Sequence, residues 1–251
     1  MTAPPRLPPF YRLVAFDAID STNEEAKRRA REGAAGGLLL WAREQLAGRG
    51  RRGRSFSSPP GNLYMSVLLR PARPAVAAAQ LSFAAALAVG EAAAALLPDA
   101  KRLCYKWPND VLVDGRKLSG VLLESQAASE GRLDWLVIGI GVNLASYPEG
   151  LEFPAISLKA AGADVSVEAL LTAVAERFLF WYERWREAGF APLREAWLAR
   201  AQGLGGDIRV RLQAGELLGR FAGLDEEGAL LLDDATGRRR IAAGDVFPLG
   251  R

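Results

Sequence analysis

The sequence predicts an α+β protein in two parts: a larger unit of interleaved strands and helices over residues 1–204, then a small β-barrel over 205–251. Three observations carry this. Helical and strand patterns alternate as far as about residue 201. A glycine cluster, Gly203 to Gly206, then interrupts the chain. After it come only short strands with turns: "DIRVRLQ", "LLGRFAGL", "GALLLD" and "RRRIAAG".

The elements follow in order. Residues 1–12 are proline-rich and read as an irregular arm. Val14 to Phe16 is a short strand, and a helix begins near Ser21, where Ser21/Glu24 and Thr22/Glu25 both fit capping boxes. Leu38 to Ala42 reads as a buried strand, and "GRGRRGR", 48–54, as a loop. Asn62 to Leu69 is a strand. Val76 to Leu97 is one long helix; its Gln80, Ser82, Gly90 and Glu91 make it a buried helix rather than a membrane span. "CYKWPNDVLVDGRKLSGVLLES" gives a strand, a Pro-Asn-Asp turn, a short strand, an Asp114-Gly115 hairpin turn and a returning strand. "WLVIGIGVNL", 135–144, is a buried strand with interior glycines. Ser166 caps a helix running to about Ala188, and another spans Pro192 to about Ala201.

Composition excludes several chemistries. Histidine is absent, which removes Ser-His-Asp and Cys-His triads and histidine-ligated zinc. The lone Cys104 allows no internal disulfide and fits a reducing compartment, and no signal peptide is apparent, so a cytoplasmic protein is expected. The net charge of +3 does not describe a polycation, so the arginine loop needs a local explanation.

Taken singly, the motifs leave alternatives open. The arginine loop could be a solvated cluster, a nonspecific nucleic-acid contact, or an anion-binding loop closing on a phosphorylated ligand. It lacks the Gly-Lys-Ser/Thr ending of a Walker loop. Asn109 and Asp110 suit a turn, yet Lys106, Asp110 and Lys117 lie on adjoining legs of one hairpin, where lysine can hold phosphate and a carboxylate can take a metal or a proton. "GIGVN" marks either close helix packing or ligand approach, and "STN", 21–23, either a cap or a polar edge for a neutral ligand.

In combination, "STNEEAK", "GRGRRGRSFSSPPGNLYMSVLLRP", "KWPNDVLVDGRKLSGVLLES" and "VIGIGVNL" resemble the biotin protein ligases, over about residues 14–145, with the C-terminal barrel resembling that family's SH3-like domain. The resemblance implies a mixed sheet flanked by helices, like the class II tRNA synthetase and lipoate ligase cores. It implies formation of biotinyl-5′-AMP from biotin and ATP with Mg²⁺, and transfer of biotin to one lysine of a biotin carboxyl carrier protein. By motif position, Ser21, Thr22, Asn23 and Gln45 are expected at the biotin head. The backbone of Gly48 to Arg51 would line the ligand, with Arg49 and Arg51 near the biotin carboxylate and phosphates and Arg54 on the nucleotide side. Lys117 would bridge carboxylate and α-phosphate, Asn109 and Asn143 would contact the nucleotide, and Asp110 would bind metal or accept the incoming lysine's proton. Gly120, Gly139 and Gly141 would floor the biotin rings. Phe56 stands where many relatives carry a tryptophan near the adenine.

With Ser21 only twenty residues from the start, and roughly 60 residues needed for a winged helix, the reading is a ligase without repressor function. Neither nucleic acid nor membrane is expected as a partner, and the resemblance leaves a homodimer open. The rivals are a lipoate or octanoate ligase and, from another class, a nucleic-acid-binding module.

Overall fold

The computed structural model describes residues 5–50, 53, 56–128, 131–150, 152–213 and 215–249. Seven strands form one mixed sheet: β1 (Arg12–Ile19), β2 (Leu38–Gln45), β3 (Leu63–Leu69), β4 (Leu103–Lys106), β5 (Asp110–Val113), β6 (Arg116–Ala127) and β7 (Leu133–Val142). Their spatial order is β1-β2-β3-β7-β6-β5-β4. Among the described residues, β1 and β2 are the one parallel pair of these strands, joined by the crossover helix α1 (Thr22–Arg31), and the other neighbouring strands pair antiparallel.

Period-two alternation assigns the two faces. Leu38 and Leu40 of β2, Leu68 of β3 and Val137 of β7 pack with Ala26 and Ala30 of α1. Leu39 and Trp41, with Leu136 and Ile138, face the larger core beneath α2 (Ala75–Ala79), α3 (Leu81–Ala94), α4 (Val167–Ala188) and α5 (Ala191–Leu198). Further along the α1 face the residues become small or polar. Ser66 pairs with Gly139, Tyr64 with Gly141, and Gly120 with Gly141. The sheet surface that is apolar under α1 thus continues beyond it as a concave polar floor.

Two local expectations are corrected. Neither capping box forms: Ser21 makes no side-chain cap, and Glu24 and Glu25 bind Lys27, Arg28 and Arg29. Instead, the Thr22 N–H donates to Gln45 Oε1 at 2.9 Å, so a side chain from β2 satisfies one free donor of the helix start. The single helix from Val76 to Leu97 is broken at Gln80, whose carboxamide accepts from Trp185 Nε1 at 2.8 Å and donates to the Glu226 carbonyl at 3.1 Å. The combined Ala75–Ala94 stretch is long and apolar enough to cross a membrane, yet 67% of its most apolar window is buried inside the protein. Ser166 does cap α4, accepting from the Ala169 N–H at 3.1 Å.

Five strands, β8 (Asp207–Leu212), β9 (Gly215–Leu224), β10 (Leu230–Asp234), β11 (Gly237–Ile241) and β12 (Asp245–Pro248), form an antiparallel C-terminal sheet ordered β11-β10-β9-β8-β12. Its Ile208, Val210, Phe221 and Leu230 join the larger core. Trp107 Nε1 crosses to the Gly228 carbonyl at 3.0 Å.

Gly90, in the middle of α3, shows how tightly helix and sheet meet: a Cβ there would stand 2.5 Å from Cε1 of buried Tyr105. Alanine would gain about 1 kcal/mol of helix propensity, but overpacking a closed core costs about 1–3 kcal/mol. Gly90→Ala is therefore expected to destabilise, by up to about 2 kcal/mol, measured as a lowered midpoint in urea unfolding at unchanged slope.

Candidate active site

The polar floor opens into a cavity of about 550 Å³ whose walls come from α1, β2 to β7, described residues of the 49–57 loop, the 143–155 segment and β12. Its two ends differ chemically.

One end is neutral. Thr22 Oγ1 donates to Gln45 Oε1 at 3.1 Å, and Ser66 Oγ lies 2.7 Å from Thr22 Oγ1 and 2.6 Å from Asn23 Oδ1. Gln45 Nε2 donates to Ser58 Oγ at 2.9 Å. Behind them Asn23 Nδ2 donates to Glu124 Oε2 at 2.9 Å, and Lys27 binds Glu124 and Glu24, each at 2.7 Å. Burial raises the Glu124 pKa, but Lys27 and Asn23 outweigh it and hold this carboxylate ionised below its ordinary range. The hydroxyls and amides at this end are thus held in fixed directions, as recognition of a neutral polar ring requires. Ser66, Lys27 and Glu124 are not singled out by the sequence; the signal for Ser66 is one small hydroxyl residue among the bulky side chains of "LYMSVLL".

The other end is cationic. Asp110 opens β5 directly after the Trp107-Pro108-Asn109 turn. Its Oδ1 lies 2.6 Å from Lys117 Nζ and its Oδ2 3.2 Å from Lys106 Nζ. A bulge sets this up. Val111 pairs with Ser119 and Leu112 with Lys117, so Leu118 is the extra residue of β6. Lys117 then turns its backbone to the next segment, donating to the Pro154 carbonyl at 2.7 Å and accepting from the Ile156 N–H at 3.0 Å. Asn143 Nδ2 clamps this junction, donating to the carbonyls of Lys117 at 3.3 Å and Ile156 at 3.2 Å. Burial raises the Asp110 pKa, yet the two lysines together bring it below the usual carboxylate range, while burial lowers that of Lys106. The cluster carries two positive charges against one negative and presents a net positive wall.

Most expected site residues meet here: Ser21, Thr22, Asn23, Gln45, Arg49, Phe56, Asn109, Asp110, Lys117, Gly120, Gly139, Gly141 and Asn143 all line the cavity. Gly48 stands just behind, where a Cβ would meet Ser58 Oγ at 2.5 Å. Arg51 and Arg54 lie outside the described residues. Arg49 is turned to Glu24 of α1, with which it pairs.

Several of these residues are also engaged within the protein. The glycines clear space for protein side chains: a Cβ on Gly120 would meet Lys117 Cε at 3.2 Å, one on Gly139 Asn23 Cγ at 2.8 Å, and one on Gly141 the Phe56 ring at 2.7 Å. Phe56 therefore lies over the sheet floor, edge-to-face with Tyr64 at 6.4 Å. Asn143 directs its amide group to the two carbonyls that fix Lys117, and Asn109 Nδ2 likewise donates to the Val121 carbonyl. Asp110 is held between two lysines. Both its oxygens face ammonium groups, and its lowered pKa makes it a weak base. Among the described residues no group of three or more Cys, Asp or Glu side chains could hold a metal.

Fold and cavity together define the class. A model of the biotin/lipoate A/B protein ligase family matches residues 15–143, and one of the biotin protein ligase C-terminal domain matches residues 203–247. The chain is 45% identical over 234 residues to a biotin–acetyl-CoA-carboxylase ligase of Paracoccus denitrificans, covering 91% of this chain and 97% of that one. It is 36% identical over 243 residues to the bifunctional ligase/repressor BirA of Bacillus subtilis, covering 93% and 73%. The structure of a biotin protein ligase from Aquifex aeolicus in complex with biotin and ATP superposes with a TM-score of 0.78 at 30% identity, covering 94% and 97%. The chain belongs to the biotin protein ligase family.

Asp110 is placed to stabilise the fold as well as the site. Asp110→Asn leaves two ammonium groups without their counter-charge and is expected to cost about 3 kcal/mol, at the low end of the range for a broken buried pair because Lys117 is partly exposed. Since the folded carboxyl titrates below its unfolded value of about 3.9, Asp110's contribution is complete above that pH and fades below it. The stability gap between wild type and Asp110→Asn should therefore be full at pH 6–7 and shrink as urea unfolding is repeated below about pH 4.

Proposed function

We propose that this ligase condenses biotin with ATP in the cavity and then passes the biotinyl group to a lysine of a biotin carboxyl carrier domain. The single observation that carries this reading is the pairing of a fixed neutral hydrogen-bonding end with a cationic end in one cavity. A biotin ring system needs the first, and a carboxylate meeting a triphosphate needs the second.

In the first step a biotin carboxylate oxygen attacks the α-phosphorus, the bond to the β-phosphate oxygen breaks, and pyrophosphate leaves. Two anions must be brought together, and negative charge grows on the bridging and leaving oxygens. Lys117, steered by Asp110 and clamped through Asn143, supplies a positioned ammonium for that charge. Thr22, Gln45 and Ser21 face the ureido ring; the Ser21 hydroxyl makes no cap bond with its helix. In the second step the carrier lysine's amine attacks the activated carbonyl carbon, AMP leaves, and the amine loses a proton.

Mg²⁺ belongs to this reading as an ion carried on the ATP phosphates, since it keeps several waters and is commonly held by few carboxylates plus substrate phosphate. It would offset phosphate charge, and Asp110 lines the same cavity. Arg49, Arg51 and Arg54 supply further cations from the loop, and the location is taken as cytoplasmic.

The test is ATP–pyrophosphate exchange with Mg²⁺ and either biotin or lipoate. Exchange with biotin is expected and none with lipoate; the reverse preference would assign the chain to lipoate chemistry. Lys117→Met should lower biotin-dependent exchange about 10²–10³-fold, the usual loss for one positioned charge-stabilising group, and wild-type-like exchange in this variant would remove Lys117 from the mechanism.

A further inference from the structure

The C-terminal sheet reaches into the cavity. Asp245 and Phe247 are alternate residues of β12, so they share one face, while Val246 between them is buried in the core. Register places Phe247 opposite Arg209 and Asp245 opposite Arg211. The guanidinium carbons of Arg209 and Arg211 stand 4.9 and 4.5 Å from the Phe247 ring centroid. On the catalytic side, Lys106 is 6% exposed, and its ammonium lies 3.8 Å from the Phe153 centroid and 5.7 Å from that of Phe247. Arg211 also binds Glu152, which fixes the segment carrying Phe153.

We propose that Phe247 positions Lys106 as a second cation toward the ATP phosphates, so that the C-terminal sheet takes part in adenylate formation. This rests on the reading above. A lysine buried this far needs compensation. A second carboxylate at full contact would cancel the charge that makes the residue useful against a polyanion. An aromatic face attracts an ammonium through its quadrupole and leaves the net charge in place. Lys106 has one carboxylate in direct contact, Asp110, a second farther off in Asp245, and two rings, and it still faces the cavity. Phe153 is held by a neighbouring segment of the catalytic part, whereas Phe247 comes from the other sheet. The Trp107–Gly228 bond, one residue beyond Lys106, pins the two parts together at this point.

The experiment compares wild type with Phe247→Leu, which keeps apolar bulk but removes the ring, and Phe247→Tyr, which keeps the ring. Biotin-dependent ATP–pyrophosphate exchange is measured against ATP and against biotin, with thermal melting alongside. Phe247→Leu should raise KM for ATP about three- to fivefold, in line with a partly exposed cation–π contact, with KM for biotin and the melting temperature unchanged. Phe247→Tyr should stay within about twofold of wild type. Unchanged KM for ATP in Phe247→Leu overturns the proposal. So does equal loss in both variants, or a loss that also lowers melting or biotin affinity, because each of these describes packing rather than steering of Lys106. Absence of biotin-dependent exchange in wild type would instead strike the functional reading itself.

Discussion

The rest of the active site depends on one buried carboxylate shared between two lysines. Asp110, Lys106 and Lys117 come from three strands of one meander, and each would be costly to bury alone. Together they leave one net positive charge in a place where water is partly excluded, and there the field of that charge is strong. The fold is arranged around holding this trio. The bulge at Leu118 aims Lys117, the 154–156 segment takes up the freed backbone groups, Asn143 ties that junction, and Gly120 leaves room for the lysine's methylenes. The same logic governs the neutral end, where Gly139 leaves room for Asn23 and Gln45 of β2 serves the start of α1.

Small residues in the central strands therefore have a common physical meaning here. In β7 the alternation that places Val137 under α1 places Gly139 and Gly141 farther along the same face. Side chains from outside the sheet, Asn23 and Phe56, then descend onto the backbone. A Cβ at either position would meet a protein side chain. The site is shaped at one remove: glycine admits the side chain, and the side chain defines the cavity.

How much of this could be read from the sequence follows from the range of the interactions involved. The Asp114-Gly115 hairpin was legible because it is local; both residues adopt positive φ, 51° and 70°. The Ser166 cap was legible for the same reason. The capping boxes at Ser21 and Thr22 were not: the Ser21 N–H donates to the side chain of Asp20, and the Thr22 N–H to Gln45, a residue 23 positions away. The break at Gln80 arises from Trp185 and Glu226, both more than 100 positions distant. Nearly every described residue that motif order singled out lines the cavity, since those residues sit within short motifs. It could not assign the partners of Asn143 or the glycines, because those are set by register between strands. Nor could it find Phe247, whose place beside Lys106 depends on how two sheets pack.

The loop arginine Arg49 poses a final electrostatic question. It pairs with Glu24, and Glu24 also accepts from Lys27, which in turn binds Glu124 beneath Asn23. The pair is half-exposed on the arginine side, so water screens it and its net worth is small, about 1 kcal/mol or less. A carboxylate or phosphate entering the cavity brings at least one full negative charge to a wall already made positive by Lys106 and Lys117. Such an anion competes for Arg49 on favourable terms: it offers a less exposed site, while Glu24 retains Lys27 when the arginine leaves. The weakness of the Arg49–Glu24 pair is thus what suits it to the loop: strong enough to give the empty arginine a defined partner, and too weak to hold it against a bound anion.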